Sequence, residues 1–121
     1  MFSCTRMETG LILEGKASGV VRRYGESCPH EPGNEIVFTS KYLAGTKDPT
    51  QEVPFAKGQV VSVRPGTVGQ FRKDKMLAEK DGYANGNVWY GHMSQLYKGI
   101  SDDTQVHHVS FRIVELDKTN A

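Results

Sequence analysis

Along 106-VHHVSFRIVEL-116, Val109, Phe111, Ile113 and Glu115 fall on one side of an extended chain, and His108, Ser110, Arg112 and Val114 on the other. A period of two kept up over that length suits a strand and not a helix. Such a strand needs partners, and three segments offer themselves. In 35-EIVFTS-40, Ile36 and Phe38 alternate with Val37 and Thr39. The stretch from Gly58 to Arg64 carries Val60, Val61 and Val63, and Pro65-Gly66 ends it. From Ser18 to Tyr24, Val20 and Val21 favour a strand in which they point to opposite faces.

Helices fill the remaining periodic segments. Ser3 or Thr5 is placed to cap a helix over roughly Met7 to Glu14, which Gly15 stops. Thr67 and Gln70 fit a capping box, and a charged helix is expected to run from there to about Lys80, before Asp81-Gly82. In 87-NVWYGHMSQLYKG-99, Trp89, His92, Met93, Leu96 and Tyr97 recur at helical spacing, with Trp89, Met93 and Leu96 as core residues. The segment 25-GESCPHEPGN-34 is turn chemistry, and 41-KYLAGTKDPTQEVP-54 reads as a long surface loop. The order α-β-β-β-α-α-β lacks the regular alternation of a parallel sheet. It points to an α+β fold, a small curled and mostly antiparallel sheet with helices flanking it.

With 121 residues the chain suffices for one domain with a real core. Residues 1–121 are therefore read as one domain, with its core over about 7–116 and a fraying tail at 117–121. A net charge of +1 excludes a protein that coats nucleic acid by bulk charge, so any anion site must be a local cluster. No apolar run reaches the ~20 residues of a membrane helix, and MFSCTRMETG lacks the apolar core of a signal peptide. A cytoplasmic location is expected, with Cys4 and Cys28 as reduced thiols.

Local positive charge is concentrated in 13-LEGKASGVVRR-23. Two explanations compete there, a solvated strand edge guarded by cations and a pocket for an anion. Arg64, Arg72, Lys73 and Lys75, interleaved with Tyr83, Tyr90 and Tyr97, suit either a backbone-tracking, base-stacking surface or a solvated helix face. Asp81 suits a general base, an acceptor for a base amino group, or an ordinary Asp-Gly turn. Beside Lys16 its carboxyl would be held below its usual range. Cys28-Pro29-His30 lacks the paired spacing of a zinc site, and His107 and His108 face opposite sides of their strand, so neither a metal nor a cofactor is expected.

Several stretches occur in a familiar order: 12-ILEGKASGVVR-22, 32-PGNEIVF-38, 59-QVVSV-63, 67-TVGQF-71, 78-AEKDGY-83, Leu96-Tyr97 and 106-VHHVSFRIVE-115. In this ordered series the chain resembles the ASCH domain, a branch of the PUA-like superfamily. The resemblance implies a small PUA-like β-barrel with a cleft beside the Gly-Lys…Arg segment. PUA-like domains commonly bind RNA, and some small ASCH proteins are amidohydrolases that deacetylate acetylcytidine with a Lys, a Thr and a Glu. Carried over by position, Lys16 lies near the Lys and Asp81 at the acidic place. The family Lys position itself holds Ala17, the Thr position holds Val20, and Ser18 is the nearest hydroxyl, so that triad is not intact.

The resulting expectation is a cleft that binds RNA or a nucleotide-like ligand through Lys16, Arg22, Arg64, Asp81 and Tyr83, with Arg22 facing in and Arg23 in solvent. The alternative is an amidohydrolase acting on an acylated nucleoside such as acetylcytidine, with Lys16, Ser18 and Asp81 as its catalytic residues. A third is a protein–protein module that uses the 41–54 loop. No membrane partner is expected.

Overall fold

In a computed structural model that describes residues 2–25, 27–43 and 51–117, strand β5 (Gln105–Leu116) pairs along almost its whole length with β4 (Val53–Thr67). This long antiparallel pair is the spine of a curled sheet. Strand β3 (Glu35–Ser40) adds to the outer side of β4, and β1 (Phe2–Ser3) adds to β3 in parallel. Strand β2 (Gly19–Arg22) covers the other flank of β5, giving the order β1-β3-β4-β5-β2. Helix α1 (Arg6–Leu13) connects β1 to β2, and α2 (Val68–Lys73), α3 (Lys75–Lys80) and α4 (Gly86–Leu96) fill the connection from β4 to β5. The α+β class and the curled, mostly antiparallel sheet match the sequence reading.

Two apolar clusters lie on opposite faces of the sheet. Val20, Ile36, Phe38, Val60, Val109 and Phe111 pack inside the curl with Ile12 of α1. Val21 joins Val68, Phe71, Leu77, Trp89, Met93 and Val106 under the three later helices. The adjacent valines thus divide between the faces as a strand requires.

Strand β4 is longer than its valine run suggests, because neither proline breaks it. Among the described residues Pro54 pairs with Thr39 of β3 alone, and Pro65 with His107 of β5 alone. Each proline therefore has a neighbour on one side, where its missing N–H breaks no ladder. The expected 41–54 loop accordingly ends before β4 begins at Val53, and its positions 44–50 lie outside the described residues, as does 118–121 of the expected tail.

Two register shifts between β4 and β5 re-aim side chains. Val60 opposes Phe111 and Ser62 opposes Ser110, so Val61 is a bulge with no ladder partner among the described residues, and it is well exposed. The extra residue lets both Val60 and Val63 face the interior and sends Ser62 and Arg64 to the other face, beside Ser110 and His108. A second shift, around Val114, puts Leu116 against the interior cluster where uninterrupted alternation predicts Glu115.

The Thr67–Gln70 capping box forms, as does one between Thr5 and Glu8 at the start of α1. The charged helix expected up to Lys80 is two helices. Asp74 closes α2 with an extended backbone and turns its carboxylate to the Leu77 N–H, which restarts the chain as α3 in a new direction.

Candidate functional site

The break at Asp74 and the bulge at Val61 together frame a cleft of about 300 Å³. Strands β4 and β5 supply Ser62, Arg64, His108 and Ser110, α3 and its end supply Leu77, Lys80 and Asp81, and Ser18 leads into β2 from the rim. The volume sits at the lower end of the range for small-ligand sites.

The floor is a buried dyad. His108 Nε2 and Asp81 Oδ2 are 2.9 Å apart, with the two side chains 9% and 2% exposed. Asp81 Oδ1 is buried with no hydrogen-bond partner among the described residues. Burial pushes the Asp81 carboxyl above its ordinary value against the opposing pull of His108, and Glu8 adds to the upward push. The expectation of a carboxyl lowered by Lys16 is corrected, because the partner is His108 and desolvation dominates. On the other side of the ring, His108 Nδ1 lies 3.4 Å from Ser110 Oγ. Gly19 is the ceiling over the dyad. A methyl group there would come within 2.5 Å of His108 Nε2 and 2.7 Å of Asp81 Oδ1.

The rim is charged and polar. Arg64 stands 3.5 Å from Asp74 and stacks over the Phe71 ring. Ser18 donates both its N–H and its hydroxyl to the Lys80 carbonyl, which ties the entry of β2 to the end of α3.

Of the residues singled out from the sequence, the structure brings Ser18, Arg64 and Asp81 into this cleft and leaves Lys16, Arg22 and Tyr83 elsewhere. Lys16 lies on the surface, paired with Glu14 at 3.0 Å, beside a shallower depression near Glu79 and Gly82. Arg22 faces inward as expected, but toward helix α1. Its two terminal nitrogens grip both Glu8 carboxylate oxygens at 2.6 and 2.7 Å, and it lies over the Phe2 ring. The convergence of Lys16, Arg22 and Asp81 on one cavity is therefore corrected. The buried Glu8 carboxylate, raised by the capping box to meet the strand, claims the guanidinium.

Burial alone would raise the Glu8 carboxyl, but hydrogen bonds and charge from Arg22, with the Thr5 N–H, hold it below its ordinary value. Next to this pair, His92 sits between Tyr83 Oη at 3.0 Å and Thr5 Oγ1 at 2.9 Å, and burial lowers its proton affinity. Tyr83 is thus buried and engaged, not presented for stacking on a base. Tyr90 lies under Arg72, and the Tyr97 hydroxyl accepts the Arg23 N–H. Cys28 is a free thiol and His30 pairs with Tyr24. Among the described residues no group of three or more His, Cys, Asp or Glu side chains is placed to hold a metal ion, and no helix is long and apolar enough to cross a membrane.

Sequence reasoning missed His108, Ser110, Ser62 and Lys80 as cleft residues. One signal was present, since alternation sets His108 and Ser110 on the same face of β5.

No family model matches the chain, and no curated protein matches it. Solved structures do. Protein EF3133 from Enterococcus faecalis V583, described under the family model DUF984, is similar with a TM-score of 0.68 at 16% identity, over 93% of this chain and 69% of its own. The hypothetical protein PH0355 gives 0.64 at 19% identity, over 93% of this chain and 96% of its own. An ASCH domain from Lactobacillus crispatus JV V101 gives 0.56 at 17% identity, over 93% of this chain and 79% of its own. The fold is that of these structures, an ASCH domain among them, in keeping with the resemblance read from the sequence.

Proposed function

We propose that the cleft between α3 and the β4–β5 pair binds a nucleotide, free or as one residue of an RNA strand. One observation carries this reading: two cations, Arg64 and Lys80, stand over a floor of hydroxyls and a buried His–Asp dyad in a single cleft of about 300 Å³. An Arg fork suits a phosphate, and Lys adds a point charge. Ser18, Ser62 and Ser110 each donate or accept, which suits ribose hydroxyls and base edges.

Amide hydrolysis of an acylated nucleoside by Lys16, Ser18 and Asp81 finds less support. Lys16 pairs with Glu14 in solvent, and the Ser18 hydroxyl is engaged by the Lys80 carbonyl. A protein partner on the 41–54 loop rests on a segment half of which, 44–50, lies outside the described residues.

The test is anisotropy of a labelled single-stranded RNA, with AMP as competitor, across a salt series. Binding should fall as salt rises. Arg64→Ala or Lys80→Ala should weaken it by about tenfold or more, the scale of one charge-assisted bond of ~1.5–3 kcal/mol. Arg23→Ala, which does not line the cleft, should change it by less than about threefold. Equal effects at all three positions, or no competition by AMP, would mean a diffuse charged surface without a pocket.

A further inference from the structure

The dyad has a third member in reach. We propose that Ser110, His108 and Asp81 form a nucleophile–base–carboxylate relay that hydrolyses an acyl ester in the cleft. On the nucleotide reading above, on which the choice of substrate rests, that ester is an O-acylated nucleotide.

The assignment follows from donors and acceptors. An ionised Asp81 can only accept, so the proton of the 2.9 Å contact belongs to His108 Nε2. A neutral ring then carries its lone pair on Nδ1, the atom 3.4 Å from Ser110 Oγ. That separation is long for a hydrogen bond, as nucleophile–base contacts often are before substrate binds. His108 and Ser110 are two residues apart on one strand and share a face, so backbone geometry holds base and nucleophile together. Gly19 closes the site above the ring, leaving no room for a side chain to separate His108 from Asp81.

Ser110 Oγ gives its proton to His108 Nδ1 and bonds to the carbonyl carbon. The bond from that carbon to the alcohol oxygen breaks, and the alcohol leaves with the proton from Nδ1. Water then gives a proton to Nδ1 and attacks the acyl-serine, and the proton returns to Ser110 as the acid departs. The sum is ester plus water to acid plus alcohol. Arg64 and Lys80 in the same cleft supply positive charge for the transient oxyanion. Ser110 and His108 are the catalytic residues, and Asp81 is a positioning residue that fixes the tautomer.

The full chain is treated with a small uncharged fluorophosphonate, which marks an activated serine without needing nucleotide binding, and separately with 3′-O-acetyl-AMP. The expected result is one covalent adduct on Ser110 and release of acetate. Both should be absent in Ser110→Ala and slowed about a hundredfold or more in His108→Gln, with unaltered circular dichroism for Ser110→Ala. Asp81→Asn should slow labelling while folding is matched, which a purely structural carboxylate would not do, and the His108 ring ¹⁵N resonances should report a change of tautomer as the Nε2 hydrogen bond is altered. No adduct on Ser110 while AMP still binds overturns the relay and leaves the nucleotide reading standing. An adduct on Ser110 with neither AMP binding nor acetyl-AMP turnover supports the relay and overturns the nucleotide reading. Labelling that is indifferent to His108→Gln overturns the relay outright.

Discussion

Arg22 and Glu8 meet fork to fork, guanidinium on carboxylate, with side chains only 11% and 5% exposed. Deleting one partner of such a pair strands the other charge in a dry site. Arg22→Ala should therefore cost about 3–5 kcal/mol of stability. Arg23→Ala, next door but exposed, should stay within about 0.5 kcal/mol of the parent. Urea midpoints decide it, and equal shifts would mean that the pair adds nothing to the fold. The answer to why 13–23 is cationic is then structural: one cation closes the core and the others stand in solvent.

The same neighbourhood sets the response to acid. His92 has a lowered proton affinity in the folded chain, so below its ordinary 6.5 the unfolded chain takes up the proton first and stability falls with pH. Glu8, held below its ordinary 4.5, adds a second loss as pH drops under that value. Asp81 has the opposite sign. Its raised carboxyl takes a proton first in the folded chain, so stability rises as pH falls through its folded value toward 3.8. Each slope is at most about 1.4 kcal/mol per pH unit. Urea midpoints from pH 8 to 4 should show that His92→Gln removes the first loss. A curve unchanged by that substitution would assign it to another group.

Gly19→Ala tests how tightly the dyad is roofed. The new methyl group would overlap both His108 Nε2 and Asp81 Oδ1, and one of them must move. The expected cost is about 1–3 kcal/mol, the usual scale for overpacking, together with loss of ligand binding in the cleft. A melting temperature and RNA affinity equal to those of the parent would show that the dyad yields freely.

The two thiols should react differently. Cys4 is 4% exposed, and burial, with the nearby Glu8 charge, pushes its thiol well up, away from the reactive thiolate. Cys28 is only half-buried. Iodoacetamide under native conditions should leave one adduct, on Cys28, and both thiols should react in urea. Peptide mass mapping that finds native modification of Cys4 would contradict the packing of β1.

Much of the scaffold was legible because local rules and tertiary packing agree there. Val20 and Val21 divide the faces, Thr67 and Gln70 cap α2, and Glu35–Ser40 forms the strand its alternation predicts. Less of the site was legible. Ser18, Arg64 and Asp81 do share a cleft, but Lys16 and Arg22 misled because charge in a sequence does not reveal its partner. Glu8, within the expected first helix, carries no sign in the sequence that in space it becomes the counterion of Arg22. His108 lacks any local sign that Asp81, from the end of another element, will meet it. The two-residue strand at Phe2–Ser3 is too short to leave a pattern.

The unpaired Val61 divides β4 into two reading frames. From Ala56 to Val60 the even-numbered residues point into the curl, and after Val61 the odd-numbered Val63 does, so this part of the strand answers to two different schedules of selection. Mutations in the second frame at 62 and 64 can rewrite the chemistry of the cleft without recutting the interior. Excising Val61 would close the bulge with Ser62 still opposite Ser110 and Val63 still opposite Val109, whereas a register that took Val61 into the ladder would turn Ser62 and Arg64 toward oil and Val63 toward water.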